Sequence, residues 1–394
     1  MAGSAHAYVR GNTLKFYEWL AASDSSKVPQ GPPIWICGDC HVGNLGPIAD
    51  TDGQIDIEIR DLDQTVIGNP AHDLIRLGLS LATAARGSDL PGVTTAKMLE
   101  QMMEGYEEAL ADADPDLRSQ RPECVQVVMR QAVKRTWDHL AEERLEDTHP
   151  KIPLGKRFWP LVDEEKREIE RIFSTEEVRR LVTALRFRRD DARVEVLDAA
   201  YWMKGCSSLG RLRFAVLLGV GKSQAKEGGL CLIDIKEAVQ AAAPCHPAAT
   251  MPQHNATRVV EGARHLSPAL GDRMLAATFL DRTVFMRELL PEDLKVEVDK
   301  IGREEAMKAT RYLAMVVGKA HARQMNSATR TQWRDGLGRN RSASLDAPNW
   351  LWSSIVELVA SHEAAYLEHL SQIRGRPGVS RMTIRTALLV EFYT

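Results

Sequence analysis

The run Cys37-Gly38-Asp39-Cys40-His41-Val42-Gly43-Asn44, followed by Arg60-Asp61-Leu62-Asp63 and then by Gly68-Asn69-Pro70-Ala71-His72-Asp73-Leu74, decides how the whole chain reads. The first run is loop-like and follows a short apolar strand, Ile34-Trp35-Ile36. Before the second run, Ile55, Ile57 and Ile59 alternate with polar residues, the period of a half-buried strand. Asp52-Gly53, just ahead of that alternation, is a hairpin turn signal. A hairpin across this region brings the Asp39 loop and the Asp61 segment to one place.

That pairing of segments fits phosphoryl transfer. The reaction needs a carboxylate to orient or deprotonate an acceptor hydroxyl. It also needs hard oxygen ligands for Mg²⁺, normally one carboxylate and one carboxamide. Asp39 is then the catalytic base, Asn44 and Asp61 are the metal ligands, and Asp63 is a further ligand or an acidic rim. Taken singly, each of these residues reads as a turn or loop residue. Their joint spacing is what points to chemistry.

Outward from this core, residues 11–22 read as a helix and the Pro- and Gly-dense 27–33 as a loop. From Asp73 onward, Leu74, Leu77, Leu81 and Ala84 share one helical face. Further helices are expected at 94–112, 123–146, 163–173 and 175–187. The character changes near 195. Strands are expected at 211–219, 230–238 and 283–289, with a helix at 257–265, giving a small and mostly antiparallel sheet. Residues 304–324 form a long amphipathic helix with Tyr312, Leu313, Val316, Val317 and Ala320 inward, and 350–373 form another. The expected class is α+β in two lobes. Residues 1–194 make a helical lobe carrying the catalytic loop and metal-binding segment, 195–300 a small nucleotide-binding β lobe, and 301–394 helices returning to the helical lobe.

Within 195–300, Gly205-Cys206-Ser207-Ser208-Leu209-Gly210 sits at a turn between strands. Glycine permits close backbone approach to phosphates, and N–H groups there can hold anions. Gly205, Ser207, Ser208 and Gly210 are therefore candidate cofactor-binding residues, although a lone glycine turn is more often a plain hairpin. Lys236 on the next strand and Glu261 on the following helix are further candidates. The order of these parts is more specific than any one of them.

The two acidic runs resemble the catalytic segment of kinase-like phosphotransferases of the aminoglycoside and choline kinase type, H-G-D-x-H-x-x-N followed by I-D-[FW]-x-x-x-x-x-G-x-P-x-x-D-L-A. Cys37 replaces the usual first His, a structural support in that group. Asp61, Gly68, Pro70, Asp73 and Leu74 match the second half in spacing. The resemblance implies a protein-kinase-like fold that uses ATP and Mg²⁺, with Lys236 as the strand lysine on the α- and β-phosphates, Glu261 as its helix partner, and Phe285 to Leu289 as an interlobe hinge presenting backbone groups to adenine. It also implies that Asp73 stabilises the catalytic loop without touching nucleotide. The 38 residues before Asp39 are too few for a nucleotide lobe. The lobe must therefore lie late, and the order is that of a circularly permuted kinase fold. Such an order requires the end of helix 304–324 to lie near residue 34.

Nearly the full chain also resembles a bacterial domain-of-unknown-function family, the one numbered 2252. The carrying residues are Tyr8-Val9-Arg10-Gly11, the GDCHVGNLG run, RDLDQT with HDLIRL, GCSSLGRLRF, IKEA, RVVEGAR and Ala320-His321-Ala322-Arg323. That resemblance implies a kinase-like fold and brings no settled substrate. The first ten residues look short for the family, so the chain is expected either to start late or to lack an upstream segment. His321 is expected to pack beside the catalytic loop.

Composition excludes several other classes. With 394 residues and 44% hydrophobic content there is apolar material for one large or two modest cores, so the chain is not disordered. A net charge of −3 gives no field to attract nucleic acid or anionic membrane. RFRRDDAR at 186–193 and the tail after Arg374 read as solvated faces, and no stretch approaches the length of a membrane span. No secretory signal opens the sequence, so a cytoplasmic location is expected. Six cysteines do not make a disulfide framework, and Cys37 and Cys40 read as free thiols rather than a redox pair or half a zinc site. The expected activity is ATP- and Mg²⁺-dependent phosphoryl transfer to a hydroxyl of a small-molecule acceptor, with a protein acceptor left open. Nucleotidyl transfer on the same fold and a non-catalytic nucleotide-binding scaffold are the alternatives.

Overall fold

The computed structural model describes residues 12–87, 90, 92–112, 117–134, 151–185, 188–203, 210–221, 229–290, 294, 302–338, 341–342 and 345–374. The isoleucine alternation is a strand. β2 (Leu45–Ala49) pairs antiparallel with β3 (Ile55–Ile59), Leu45 opposite Ile59. The Asp50 carboxylate closes the turn between them by accepting the N–H groups of Asp52 and Gln54 at 2.8 and 2.9 Å. β1 (Ile34–Ile36) pairs antiparallel with β4 (Val66–Gly68). The two loops of interest therefore leave adjacent hairpins.

Helix α1 (Thr13–Ala22) precedes these strands, and α2 (Pro70–Gly87) follows β4. Proline opens α2 with its φ already near the helical value. Most of α2 is enclosed, from Ala71 to Ala85, so it is the central helix of the larger core. Around it stand α3 (Gly92–Ala111) and α4 (Glu123–Lys134); residues 135–146 of the expected longer helix lie outside the described residues.

The small sheet has six antiparallel strands, in the order β5-β6-β7-β8-β10-β9. They are β5 (Phe158–Trp159), β6 (Val194–Trp202), β7 (Arg213–Val220), β8 (Leu230–Glu237), β9 (Met274–Phe279) and β10 (Arg282–Leu289). β5, β6 and β9 come in addition to the strands expected from sequence. One face is apolar and packs on α5 (Asp163–Phe173) and α6 (Glu176–Thr183). Ile169, Ile172, Val178 and Val182 meet Phe214, Val216, Ile233 and Val284 there. A sheet with one apolar face must bury it against another layer, and these two amphipathic helices supply that layer. By the two-residue period of a strand, the opposite face carries Arg213, Asp234, Lys236 and Arg287 beside Ala215, Leu217 and Leu232.

Between β8 and β9 lie α7 (Asn255–Leu266) and the short α8 (Pro268–Gly271). α7 packs on β1, β9 and β10, joining the sheet to the larger core. α9 (Arg303–Ala322) runs against α3. Their close approach depends on small residues: a Cβ on Gly105 would stand 2.3 Å from the Arg311 carbonyl oxygen, and one on Gly318 2.7 Å from the Ala109 side chain. α10 (Ser327–Leu337) and α11 (Asn349–Arg374) close the larger unit, α11 against α2. Among the described residues no helix is long and apolar enough to cross a membrane.

Candidate functional site

Gly38 has φ +74, and a Cβ there would lie 2.1 Å from the backbone oxygen of Gln64. Only glycine lets the Asp39 loop press so closely on the turn that follows Asp61. Thr65 Oγ1 donates to the Ile36 carbonyl at 2.6 Å, tying the same two segments. Beneath the loop, Asp73 takes the N–H of Cys37 on one oxygen at 2.7 Å and that of Gly38 on the other at 2.9 Å. His321 Nε2 lies 3.2 Å from Asp73, and the Tyr106 hydroxyl 2.9 Å from His321 Nδ1. The His321 ring thus bridges the Asp73 carboxyl and the Tyr106 hydroxyl, one ring nitrogen to each. Trp333 Nε1 donates to the Tyr106 oxygen at 3.1 Å. This buried chain runs from α10 through α3 and α9 to the loop, with His321 packed beside it.

Asp39 is 16% exposed at its side chain. Arg76 Nε donates to Oδ1 at 2.7 Å and the Thr13 hydroxyl to Oδ2 at 2.8 Å; His41 Nε2 stands 3.9 Å from Oδ2. Arg76 is fully enclosed, its guanidinium 5.7 Å from the Phe16 ring. Asp73 and Arg76 lie one turn apart on α2, so a single helical turn holds the loop's backbone and its acidic side chain together. Asn44 Nδ2 donates to the Asp39 carbonyl at 2.9 Å, which leaves its Oδ1 available as a ligand oxygen.

Lys236 of β8 reaches this region from the sheet. Its ammonium donates to Asp63, lies 3.8 Å from Asp61 Oδ1, and stands 5.9 Å over the Phe285 ring. Asp61 is the open member, with 53% of its side chain exposed, whereas Lys236 keeps 12%. Asp63 Oδ1 is buried and has no hydrogen-bond partner. The surrounding protein opposes the charge on Asp61, but the Lys236, Arg287 and Arg213 cations outweigh it and hold the carboxyl below its usual range. Burial and the neighbouring Asp61 push Asp63 up instead. Burial opposes the Lys236 charge, yet the two carboxylates raise its pKa overall, so it stays a cation. Behind Lys236, Arg213 grips Asp234 through two nitrogens at 3.0 and 2.6 Å.

Two sequence expectations change here. Glu261 does not pair with Lys236; it bonds Arg264 on its own helix at 2.6 Å. The face that α7 turns to the acidic segment carries Gly262, packed on Thr65, and Arg258, which donates to the Thr65 carbonyl, to that of Asp63 at 2.9 Å and to that of Val239 at 2.8 Å. Lys236 takes its charge partners from Asp61 and Asp63. Phe285, Met286 and Arg287 are not a hinge, because each is paired with β8 on one side and β9 on the other, which spends their backbone groups. Gly205, Ser207 and Ser208 lie outside the described residues; Gly210 has φ +72 with nothing close to it, at the end of the turn before β7.

Asp61, the unpaired oxygen of Asp63 and Asn44 Oδ1 fit a hard cation. Among the described residues no three His, Cys, Asp or Glu side chains converge on one point. Asp61 and Asn44 offer one carboxylate and one carboxamide oxygen, the donor types that Mg²⁺ takes before it completes its shell with water and phosphate oxygens. Cys37 and Cys40 are free and buried. Contact with the Cys40 thiol and burial push the Cys37 thiol well above its usual range, so it is an inert core thiol. Two clefts, of about 380 and 410 Å³, lie elsewhere. Glu58, Tyr312 and Lys319 line the first, Trp19, Lys27 and Trp350 the second, and neither includes Asp39, Asn44, Asp61 or Lys236.

A family model matches residues 1–372 of this sequence. The chain belongs to DUF2252, described as an uncharacterized protein conserved in bacteria. No curated protein and no solved structure matches this DUF2252 chain. Arg76, Arg258 and Thr13 are site residues that the sequence reasoning missed. The D-x-x-R spacing from Asp73 marks Arg76, since it puts a guanidinium on the face that holds the loop. For Thr13 no sequence signal exists.

Proposed function

We propose that this DUF2252 chain is an ATP- and Mg²⁺-dependent phosphotransferase, kinase-like and circularly permuted, that moves the γ-phosphoryl group to a hydroxyl of a small-molecule acceptor. The observation that carries this is the meeting of Lys236 with Asp61 and Asp63, the latter 173 residues earlier, beside the loop that presents Asp39 and Asn44. The permuted order is supported by Gln324, just past α9, which accepts the Trp35 N–H at 2.9 Å and donates to the Trp35 carbonyl at 3.0 Å. That is the junction such an order needs.

Asp61 and the Asn44 carboxamide oxygen would hold the metal, which when bound neutralises charge on the phosphates. Lys236 exchanges part of its carboxylate contact for phosphate oxygens. Asp39, fixed by Arg76, orients the acceptor hydroxyl and takes its proton. Catalysis of this kind is positioning and electrostatics more than covalent chemistry.

Calorimetric titration of ATP into the purified chain, with and without Mg²⁺, is the test. The expected result is Mg²⁺-dependent binding that Lys236→Ala weakens by roughly tenfold or more, about 1.4 kcal/mol. Equal binding by Lys236→Ala would remove Lys236 from the phosphate site. ADP as product supports phosphoryl transfer, pyrophosphate supports nucleotidyl transfer, and binding without any product supports a scaffold.

A further inference from the structure

The two oxygens of Asp39 have different fates. Oδ1 is bound to Arg76, which is fully enclosed on α2. Oδ2 is the oxygen left to take a proton, and a hydroxyl already stands on it: Thr13 Oγ1, at 2.8 Å. A general base works within about 2.6–3.2 Å of the atom whose proton it removes. Thr13 is half-buried, at the first position of α1. The helix is pinned to the same loop one turn later, where the Tyr17 hydroxyl donates to the Gly38 carbonyl at 2.5 Å, and Phe16 packs against the Arg76 guanidinium. The hydroxyl is therefore held in register with the base by three separate contacts.

We propose that Thr13 is an acceptor in cis and that the chain phosphorylates itself there. This rests on the reading of Asp39 as the base of a phosphotransferase. Thr13 Oγ1 forms a bond to the γ-phosphorus of MgATP, and the bond from that phosphorus to the β–γ bridging oxygen breaks. ADP leaves with those electrons, and the hydroxyl proton passes to Asp39 Oδ2 and then to solvent. The product phosphothreonine carries close to two negative charges beside the Asp39 carboxylate. Their repulsion lifts the start of α1 from the loop and clears Oδ2 for the hydroxyl of an outside acceptor, so the modification opens the site.

The full chain is incubated with γ-labelled ATP and Mg²⁺, and the label is located by peptide mass spectrometry. The expected result is label at Thr13, lost in Thr13→Val, kept in Thr13→Ser and reduced roughly a hundredfold in Asp39→Asn. Thr331→Val, on the exposed face of α10, leaves the label unchanged. A second readout needs no nucleotide: amide hydrogen exchange across α1 of the unloaded protein is faster in Thr13→Val than in wild type or Thr13→Ser. The proposal is overturned by transfer to an outside acceptor or another residue while Thr13 stays unmodified. It is overturned by ATP turnover that rises in Thr13→Val with no label on wild-type Thr13, which makes the hydroxyl a mere stopper. Unchanged exchange in Thr13→Val also overturns it, since the contact is then not formed in solution. Failure of ATP binding in the calorimetric titration is a different result, because it removes the phosphotransferase reading and this proposal together.

Discussion

Around Asp73 the hydrogen-bonding capacity is spent, whereas around Asp61 part of it is held open. Asp73 takes two backbone N–H groups and the His321 ring, and both side chains are fully enclosed. Asp61 has half its side chain in solvent, faces Lys236 at 3.8 Å, and neighbours an Asp63 oxygen with no hydrogen-bond partner. A closed polar group rigidifies what it touches, because loss of any member strands another in a low-dielectric interior. An open one keeps charge in reserve for something that arrives. The first therefore aims a loop, and the second waits for a ligand.

The comparison breaks most readily at Asp73. Asp73→Ala leaves two loop N–H groups and His321 without an acceptor, and is expected to lower the unfolding free energy by about 3–5 kcal/mol in urea titration. A loss below about 1 kcal/mol would mean that the loop holds itself without its anchor. On the open side, Lys236→Met is expected to cost less, about 1–3 kcal/mol at neutral pH, since Asp61 falls back on water while the part-buried Asp63 loses its ammonium partner. The pH dependence sharpens this. A carboxyl held below its usual range contributes stability that is present above the unfolded value, near pH 3.8, and is lost as pH falls toward the folded value. Removing Lys236 withdraws the first of the cations responsible, so the acid limb of the stability profile becomes shallower. The smallest effect belongs to Glu261→Gln. It breaks a solvent-facing pair with Arg264, so its expected cost is below about 0.5 kcal/mol, with ATP affinity unchanged. Weakening of ATP binding to the level of Lys236→Ala would instead show that Glu261 reaches the lysine when nucleotide binds.

Much of the early segment was legible because its signals are local. Asp52-Gly53 and the isoleucine alternation specify the hairpin from within a dozen residues, and Pro70 with Asp73 marks the start of α2. The long amphipathic pattern at 304–324 is α9 within a residue or two. What the sequence hid is pairing across the molecule. Whether Lys236 meets Glu261 or Asp63 depends on which face of α7 packs inward, and that face is chosen by the fit of Gly262 on Thr65. The hinge at 285–289 reads as a free strand until β9 supplies a second neighbour, and β9, Met-Leu-Ala-Ala-Thr-Phe, lacks a clean alternation. Helices α5 and α6 show their apolar stripes plainly, yet a stripe does not say which surface it covers.

The bond between His321 and Asp73 spans 248 residues, and that between Gln324 and Trp35 spans 289. On a ribosome adding about 5–20 residues per second, the Asp73 carboxylate waits roughly ten to fifty seconds for its histidine. During that interval α2 can offer Asp73 and Arg76 to the Asp39 loop, but the His321 ring that backs Asp73 is missing. Helix α9 therefore acts as a keystone in time as well as in space. Its arrival turns a set of preformed pieces into a working site, and a chain released before α9 carries every acidic residue of the motif without the frame that aims them.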